Sequence, residues 1–237
     1  MRSTLHANTV TAITRTFRKL NYSTLGRIYC DEGGDAFWRD RRGPCQQLGI
    51  KLAAALRSRL RSRGRSLYVG AGVAEIPVLM METMELGRSV AAYNLRAKEV
   101  SVLNAALAGL PLTFIAGHAQ SATGSFDHLW ITSVLNDPER FPQLSALSYG
   151  LANPVTFDPA AFARERRAVI RLVASCLNKL SRPGLVSTSV EEIPWIADWC
   201  ALRGVPYTVE PQRYASAIVQ DPVCLVRVGK APRRRSR

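Results

Sequence analysis

The chain has only three histidines and five cysteines in 237 residues, and no two are spaced like metal ligands. The cysteines, at 30, 45, 176, 200 and 224, form no C-x-x-C pair and are odd in number. That disfavours a structural zinc site, so no metal is expected, and reduced thiols in a cytoplasmic protein are the default. No apolar run reaches the roughly 18 residues of a membrane span, and no apolar block of signal-peptide type opens the sequence. No membrane partner is expected. Acidic residues are missing from the first 30 positions, where Arg, Ser and Thr are common. This suits a basic N-terminal helix better than an organelle transit peptide. The chain has no G-x-x-x-x-G-K-S/T phosphate loop and no G-x-S-x-G hydrolase turn.

What is abundant is positive charge, and it is unevenly placed. Residues 1–65 hold 14 Lys/Arg against 4 Asp/Glu, residues 66–229 hold 13 against 14, and the tail 230–237 holds 5 against none. The flanks therefore carry all of the excess behind the net charge of +14. A basic surface attracts nucleic acid or an acidic partner, and it also serves as a solubilising surface.

The hydrophobic pattern divides the chain into a basic helical segment at 1–64, a larger domain at 65–229 and a basic disordered tail at 230–237. Residues 8–29 predict one or two helices, with Val10, Ile13, Phe17 and Leu20 at helical spacing. "CDEGGDAFWRDRRGP" reads as a loop, and its Phe37 and Trp38 suit core packing or a cover over a site. Gln46 to Arg63 predicts a helix with Leu48, Leu52, Leu56 and Leu60 in one stripe and Gly64 as its cap. Strands are then predicted at 67–69, 89–93, 112–116, 128–133 and 185–189. Helices are predicted at 74–86, 97–108, from Asp158 onward and at 191–203. Asp158 is placed to cap the third of these, with Pro159 at its first position and "RPG" beyond its end. The C-terminal part predicts two short strands around a Gln220-Asp221-Pro222 turn. Alternation of this kind implies an α/β fold with a doubly wound, mainly parallel sheet and a terminal antiparallel strand, preceded by N-terminal helices.

In such sheets ligands sit beyond the carboxyl ends of the strands, so the first strand–turn–helix, "SLYVGAGVAEIP", is the place to look. Gly70-Ala71-Gly72 permits a tight turn and close approach of a ligand. A dinucleotide site wants glycine or alanine at the sixth motif position, where Glu75 stands. A carboxylate there repels a pyrophosphate and suits a cation, which points to a phosphate-free cofactor.

With these residues, 66–137 resemble the core of the class I S-adenosylmethionine-dependent methyltransferases, and the likeness extends over about 67–229. "LYVGAGVAE" stands at the family's glycine-rich loop. "VAAYNL" stands where a second strand ends in a ribose-binding acid, "FIAGHAQ" at the adenine side, and "FDHLWITSVLND" at the fourth strand and active-site loop. The motif is degenerate. Tyr68 replaces the first-strand acid, Ala74 the third glycine and Asn94 the ribose acid, while His118 takes the adenine-side position. The resemblance implies a seven-stranded Rossmann-like sheet and S-adenosyl-L-methionine as cofactor. It implies cofactor contacts from Gly70, Ala71, Gly72, Glu75, Asn94, Leu95, His118, Ala119 and Ser133.

Methyl transfer needs alignment more than acid–base help, because the cofactor brings its own leaving group. Asn136 and Asp137 are the catalytic candidates, and Asp137-Pro138 is equally a turn starter. The N-P-P-Y signature for amino groups of bases is absent, so the expected partner is a small-molecule or natural-product substrate. The long stretch "LSALSYGLANPVTFDP" offers Tyr149 and Asn153 as substrate contacts. Two other readings remain. One is a non-catalytic module of the same fold that binds RNA or an acidic partner through the basic flanks. The other is an enzyme that transfers a different group of the cofactor, of aminopropyl type.

Overall fold

The computed structural model describes residues 4–29, 34–217 and 221–229. Cys30 and Gly33, Gln220 of the expected turn and the basic tail 230–237 lie outside them. The chain has a seven-stranded, mainly parallel sheet, and it packs as two compact units. The first comprises Met1–Ala122 with Tyr214–Gln220, and the second comprises Thr123–Arg213 with Asp221–Arg237.

The first unit opens with four helices: α1 (Ala7–Lys19), α2 (Tyr22–Tyr29), α3 (Gly34–Arg39) and α4 (Arg42–Arg57). The expected stripe on α1 is buried through Ile13 and Phe17, with Leu20 just past its end. Two expectations need correction here. The stretch read as a loop contains α3, whose Trp38 is 1% exposed. Gly34 is the first residue of α3 and Gly43 falls in the first turn of α4, so neither interrupts a helix, and Trp38 is buried between them in sequence. The helix expected to run to Arg63 ends at Arg57, and Gly64 does not cap it. Arg57, Arg59, Arg61 and Arg63 put like charges at i and i+4 on a continued helix, which opposes it. Leu60 still completes the buried stripe from the turn that follows.

Three parallel strands follow, in the order β3-β2-β1: β1 (Arg65–Val69), β2 (Ser89–Asn94) and β3 (Phe114–Ala116). The segment after β1 begins as a 3-10 turn (Val73–Glu75), continues as α5 (Ile76–Met80) and widens into a π-turn (Met81–Glu85). Helix α6 (Ala97–Ala106) links β2 to β3. Alternation on β1 places Ser66 and Tyr68 on one face, and both meet Glu82 of the π-turn. Tyr68 donates to Glu82 at 2.6 Å, the Ser66 hydroxyl donates to the same carboxylate, and Arg88 pairs with it at 2.9 Å. All four residues are buried. The first-strand position that resembles a missing acid is thus a tyrosine bonded to an acid on the next element.

The second unit carries β4 (Phe126–Ile131), α7 (Pro142–Ser148), α8 (Pro159–Leu177), β5 (Leu180–Ser189), α9 (Ile193–Leu202), β6 (Tyr207–Tyr214) and β7 (Val223–Val228). Their strand order is β4-β5-β7-β6, with β4 and β5 parallel and the terminal β7 antiparallel to β5. The Asp158 cap forms as expected, accepting from the N–H groups of Ala160 and Ala161. Gly204, at φ +61°, ends α9 with the backbone turn that only glycine adopts without strain. Two further readings are corrected. "RPG" lies inside β5, because the β4–β5 ladder shifts register between Phe126 and His128 and leaves Arg182 to Gly184 outside it. The proline-punctuated stretch contains α7, for Pro142 falls in its first turn, where no N–H is needed. Among the described residues no helix is long and apolar enough to cross a membrane.

Candidate functional site

The carboxyl ends of the three strands in the first unit are joined by backbone and amide hydrogen bonds. Gly70 leaves β1 at φ +71°, a left-handed turn that favours glycine. The next N–H, of Ala71, donates to Tyr93 O at 2.9 Å, and Gly117 N–H donates to Asn94 O at 2.9 Å. Asn94 is 6% exposed and sits between them. Its Nδ2 donates to Ala71 O, and its Oδ1 accepts from Arg96 N, both at 2.8 Å. These bonds leave Asn94 one further N–H and one lone pair. Sequence reading predicted a ribose contact at this residue; its observed bonds fix the turn itself.

Glu75 folds back to accept from Gly72 N–H at 2.7 Å. Gly72 also shows why a side chain is missing there. A Cβ would lie 2.9 Å from Glu99 Oε1, 3.2 Å from the Tyr29 hydroxyl and 3.8 Å from Glu75 Oε2. Tyr29 donates to Glu99 Oε1, and Arg96 Nη1 stands 3.9 Å from Glu99 Oε2. Burial, with the Glu99 carboxylate beside it, pushes the Tyr29 phenol well above the usual range, so it stays a donor. Around this cluster Gly70, His118 and Leu95 are exposed, Leu95 to 45%, and Ala119 is buried.

Sequence reading missed Tyr29 and Glu99. Glu99 had a signal, for with Leu103 and Leu107 it forms a buried stripe four residues apart, and an acid in such a stripe needs a partner. Tyr29 had none.

The remaining candidates lie in the second unit. Ser133, at φ +56°, leads a run of three N–H groups held by one carboxylate. Glu192, fully buried, accepts from Ser133 N at 3.0 Å and from Val134 N and Leu135 N at 2.6 Å each. Thr188 Oγ1 and Ser189 N donate to it from the end of β5. Burial pushes the Glu192 carboxyl up, and the N–H groups of Leu135 and Val134 pull it down. Glu192 also went unread, although Ser189-x-x-Glu192 is a capping-box spacing.

Asn136 and Tyr149 are brought together. Tyr149 donates to Asp221 Oδ2 at 2.5 Å and accepts from Asn136 Nδ2 at 2.6 Å. Since the single phenol proton goes to Asp221, Asn136 must present its NH2 to Tyr149. Its Oδ1 is buried with no donor in reach among the described residues. Asp137 accepts from Glu139 N at 2.9 Å and receives Phe141 N on its carbonyl, as a turn starter does. Asn153 is exposed and accepts from Val155 N within its own turn.

No protein-family model matches the sequence, and no curated protein sequence matches it. Solved structures do. The magnesium protoporphyrin IX methyltransferase ChlM of Synechocystis PCC 6803 with bound SAM aligns over 93% of this chain and 97% of its own. The TM-score is 0.53, at 14% identity. The same protein with SAH aligns over 93% and 100%, with TM-score 0.52 and 13% identity. This is the fold of the class I S-adenosylmethionine-dependent methyltransferases. In the methyltransferase fold the glycine turn described above is the end of the first strand, and Asn94 is the end of the second. The seven strands and the antiparallel last strand expected from the sequence are those of this fold.

Proposed function

We propose that the chain is an S-adenosylmethionine-dependent methyltransferase acting on a small-molecule acceptor by in-line transfer. The observation that carries this reading is the glycine turn at the joined ends of β1, β2 and β3, with the carboxylates of Glu75 and Glu99 facing Gly72. Two carboxylates beside the turn oppose a pyrophosphate and favour a cation. Leu95, bare to 45%, supplies an apolar surface of the kind an adenine covers. In this reading residues 65–229 form the cofactor domain and residues 1–64 a helical addition.

Gly70, Ala71, Gly72 and Glu75 would hold the amino-acid end of the cofactor, Asn94 and Leu95 the nucleoside, and His118 and Ala119 the adenine side. Ser133 offers its hydroxyl, its N–H being held by Glu192. The bound cofactor supplies a methyl group on a cationic sulfur, whose leaving group is a neutral thioether. The protein's part is to align the acceptor and exclude water. Asn136 has the free buried oxygen for that task, with Tyr149 fixing its orientation. Asp137 and Asn153 complete the acceptor side.

Calorimetric titration tests this. S-adenosylmethionine and S-adenosylhomocysteine should each bind once per chain, and Gly72→Asp should abolish both. A Gly72→Asp chain that binds normally would mean that the turn is not the site.

A second reading, a polyanion-binding module, rests on the basic segment. Arg15, Arg18, Lys19 and Arg39 are exposed, and α1, α2 and α4 have no acid in their first turns. RNA affinity that falls steeply with salt, with no affinity for either cofactor form, would favour it over the enzyme.

A further inference from the structure

We propose that α2 is a strap over the glycine turn, latched by the hydroxyl of Tyr29 on Glu99, and that the cofactor enters only when this latch opens. The inference rests on the reading of the turn as a cofactor site. Tyr29 is the last residue of α2, and its hydroxyl lies 3.2 Å from where a Gly72 Cβ would stand, beside Glu99 Oε1 at 2.9 Å. It therefore closes the face of Gly72 that a ligand must approach. The latch is specific. Tyr29 donates to a buried carboxylate, its ring stacks on Phe37 at 5.4 Å, and the Arg96 guanidinium stands 5.2 Å from its centroid. A hydrogen bond to a charged group in a buried place is among the stronger single contacts.

The latch is anchored on the segment that carries the nucleoside candidates. Arg96 and Glu99 directly follow Asn94 and Leu95, and Arg96 N is held by the Asn94 side chain. A ligand that engages Asn94 or Leu95 therefore acts on the residues that hold Tyr29. On the other side, the Tyr29 ring meets the edge of Trp38, a side chain 1% exposed in α3. Release of Tyr29 uncovers one side of Trp38 and gives the movement an optical signal.

Glu99 has two states in this scheme. With the strap down its charge is met by Tyr29 and Arg96. With the strap open the carboxylate faces the turn together with Glu75, where a cationic group of the cofactor would be received. Tyr29 is thus a positioning residue. It controls entry and retention through Glu99, and it takes no part in bond making.

The test is stopped-flow binding of S-adenosylmethionine to the full chain, followed by the emission that Trp38→Phe removes. Tyr29→Phe keeps the ring and deletes the latch. It should speed both association and dissociation by about tenfold or more, since a hydrogen bond to a charged group is lost. An association rate unchanged in Tyr29→Phe overturns the strap. Hydrogen exchange of α2 gives a readout without cofactor, and in Tyr29→Phe it should rise in α2 more than in the β4 and β5 strands, whose exchange reports any global loss of stability. Unchanged exchange overturns the latch even if no cofactor binds, whereas absent binding with raised exchange overturns only the cofactor reading.

Discussion

Glu82 and Glu192 are fully buried acids held in different ways, and the difference predicts how each fails. Glu82 is paired with the Arg88 guanidinium and bonded by Tyr68 and Ser66. Removing one member of a buried ion pair strands the other charge, so Glu82→Ala should cost about 3–5 kcal/mol. Tyr68→Phe removes one donor and leaves the pair intact, so it should cost less, about 1.5–3 kcal/mol. Urea denaturation of the two variants checks the order, and equal losses would contradict it. Glu192 has no cationic partner among its hydrogen-bond donors, which are four backbone N–H groups and the Thr188 hydroxyl. Glu192→Ala leaves these donors without an acceptor and should lower stability by about 3 kcal/mol or more. It should also release residues 133–135, measured as faster hydrogen exchange of those three amides.

At the scale of elements, α8 tests the electrostatics of a cap. The Asp158 carboxyl is held below its usual range by the Ala161 N–H, with help from Ala160. A depressed folded-state value adds stability above the unfolded carboxylate value, about 3.9. That stability is lost as pH falls through the depressed value. Asp158→Asn keeps a capping oxygen without a charge. Wild type should therefore melt above Asp158→Asn near neutral pH, and the gap should close as pH falls from about 5 to about 2. This cap was legible in the sequence, as were α1, α6, the three N-terminal strands and the glycine turn, because each depends on spacing within a few residues. What escaped was set by contacts distant in sequence or by context around proline. Pro142 begins a helix, and Pro183 sits in a strand whose neighbour has shifted register. Leu60 continues the helical spacing of Leu52 and Leu56, yet α4 ends at Arg57 and the Arg63 N–H donates to Leu86 O instead. The same division applies to the site. Gly70, Gly72, Glu75 and Asn94 could be named from one short stretch and one strand end. Tyr29, 70 residues from Glu99, and Asp221, 72 residues from Tyr149, could not.

Across the whole molecule, burial governs the thiols. Four cysteines, at 45, 176, 200 and 224, are free and buried. Burial pushes Cys45 up to about 12 and Cys176 and Cys224 up to about 11. In a Cys30→Ser chain an aromatic disulfide reagent should therefore titrate no thiol in buffer and four in urea, which makes thiol release a measure of global unfolding. The larger claim is that a sheet of this topology, with Asn94 tying the turn and two carboxylates beside Gly72, still receives the cofactor despite its altered motif. The direct measurement is calorimetric titration of the full chain with S-adenosylhomocysteine, beside Gly72→Asp. One molecule bound per wild-type chain, and none by the variant, is the predicted result. No heat of binding by wild type at millimolar ligand would contradict it.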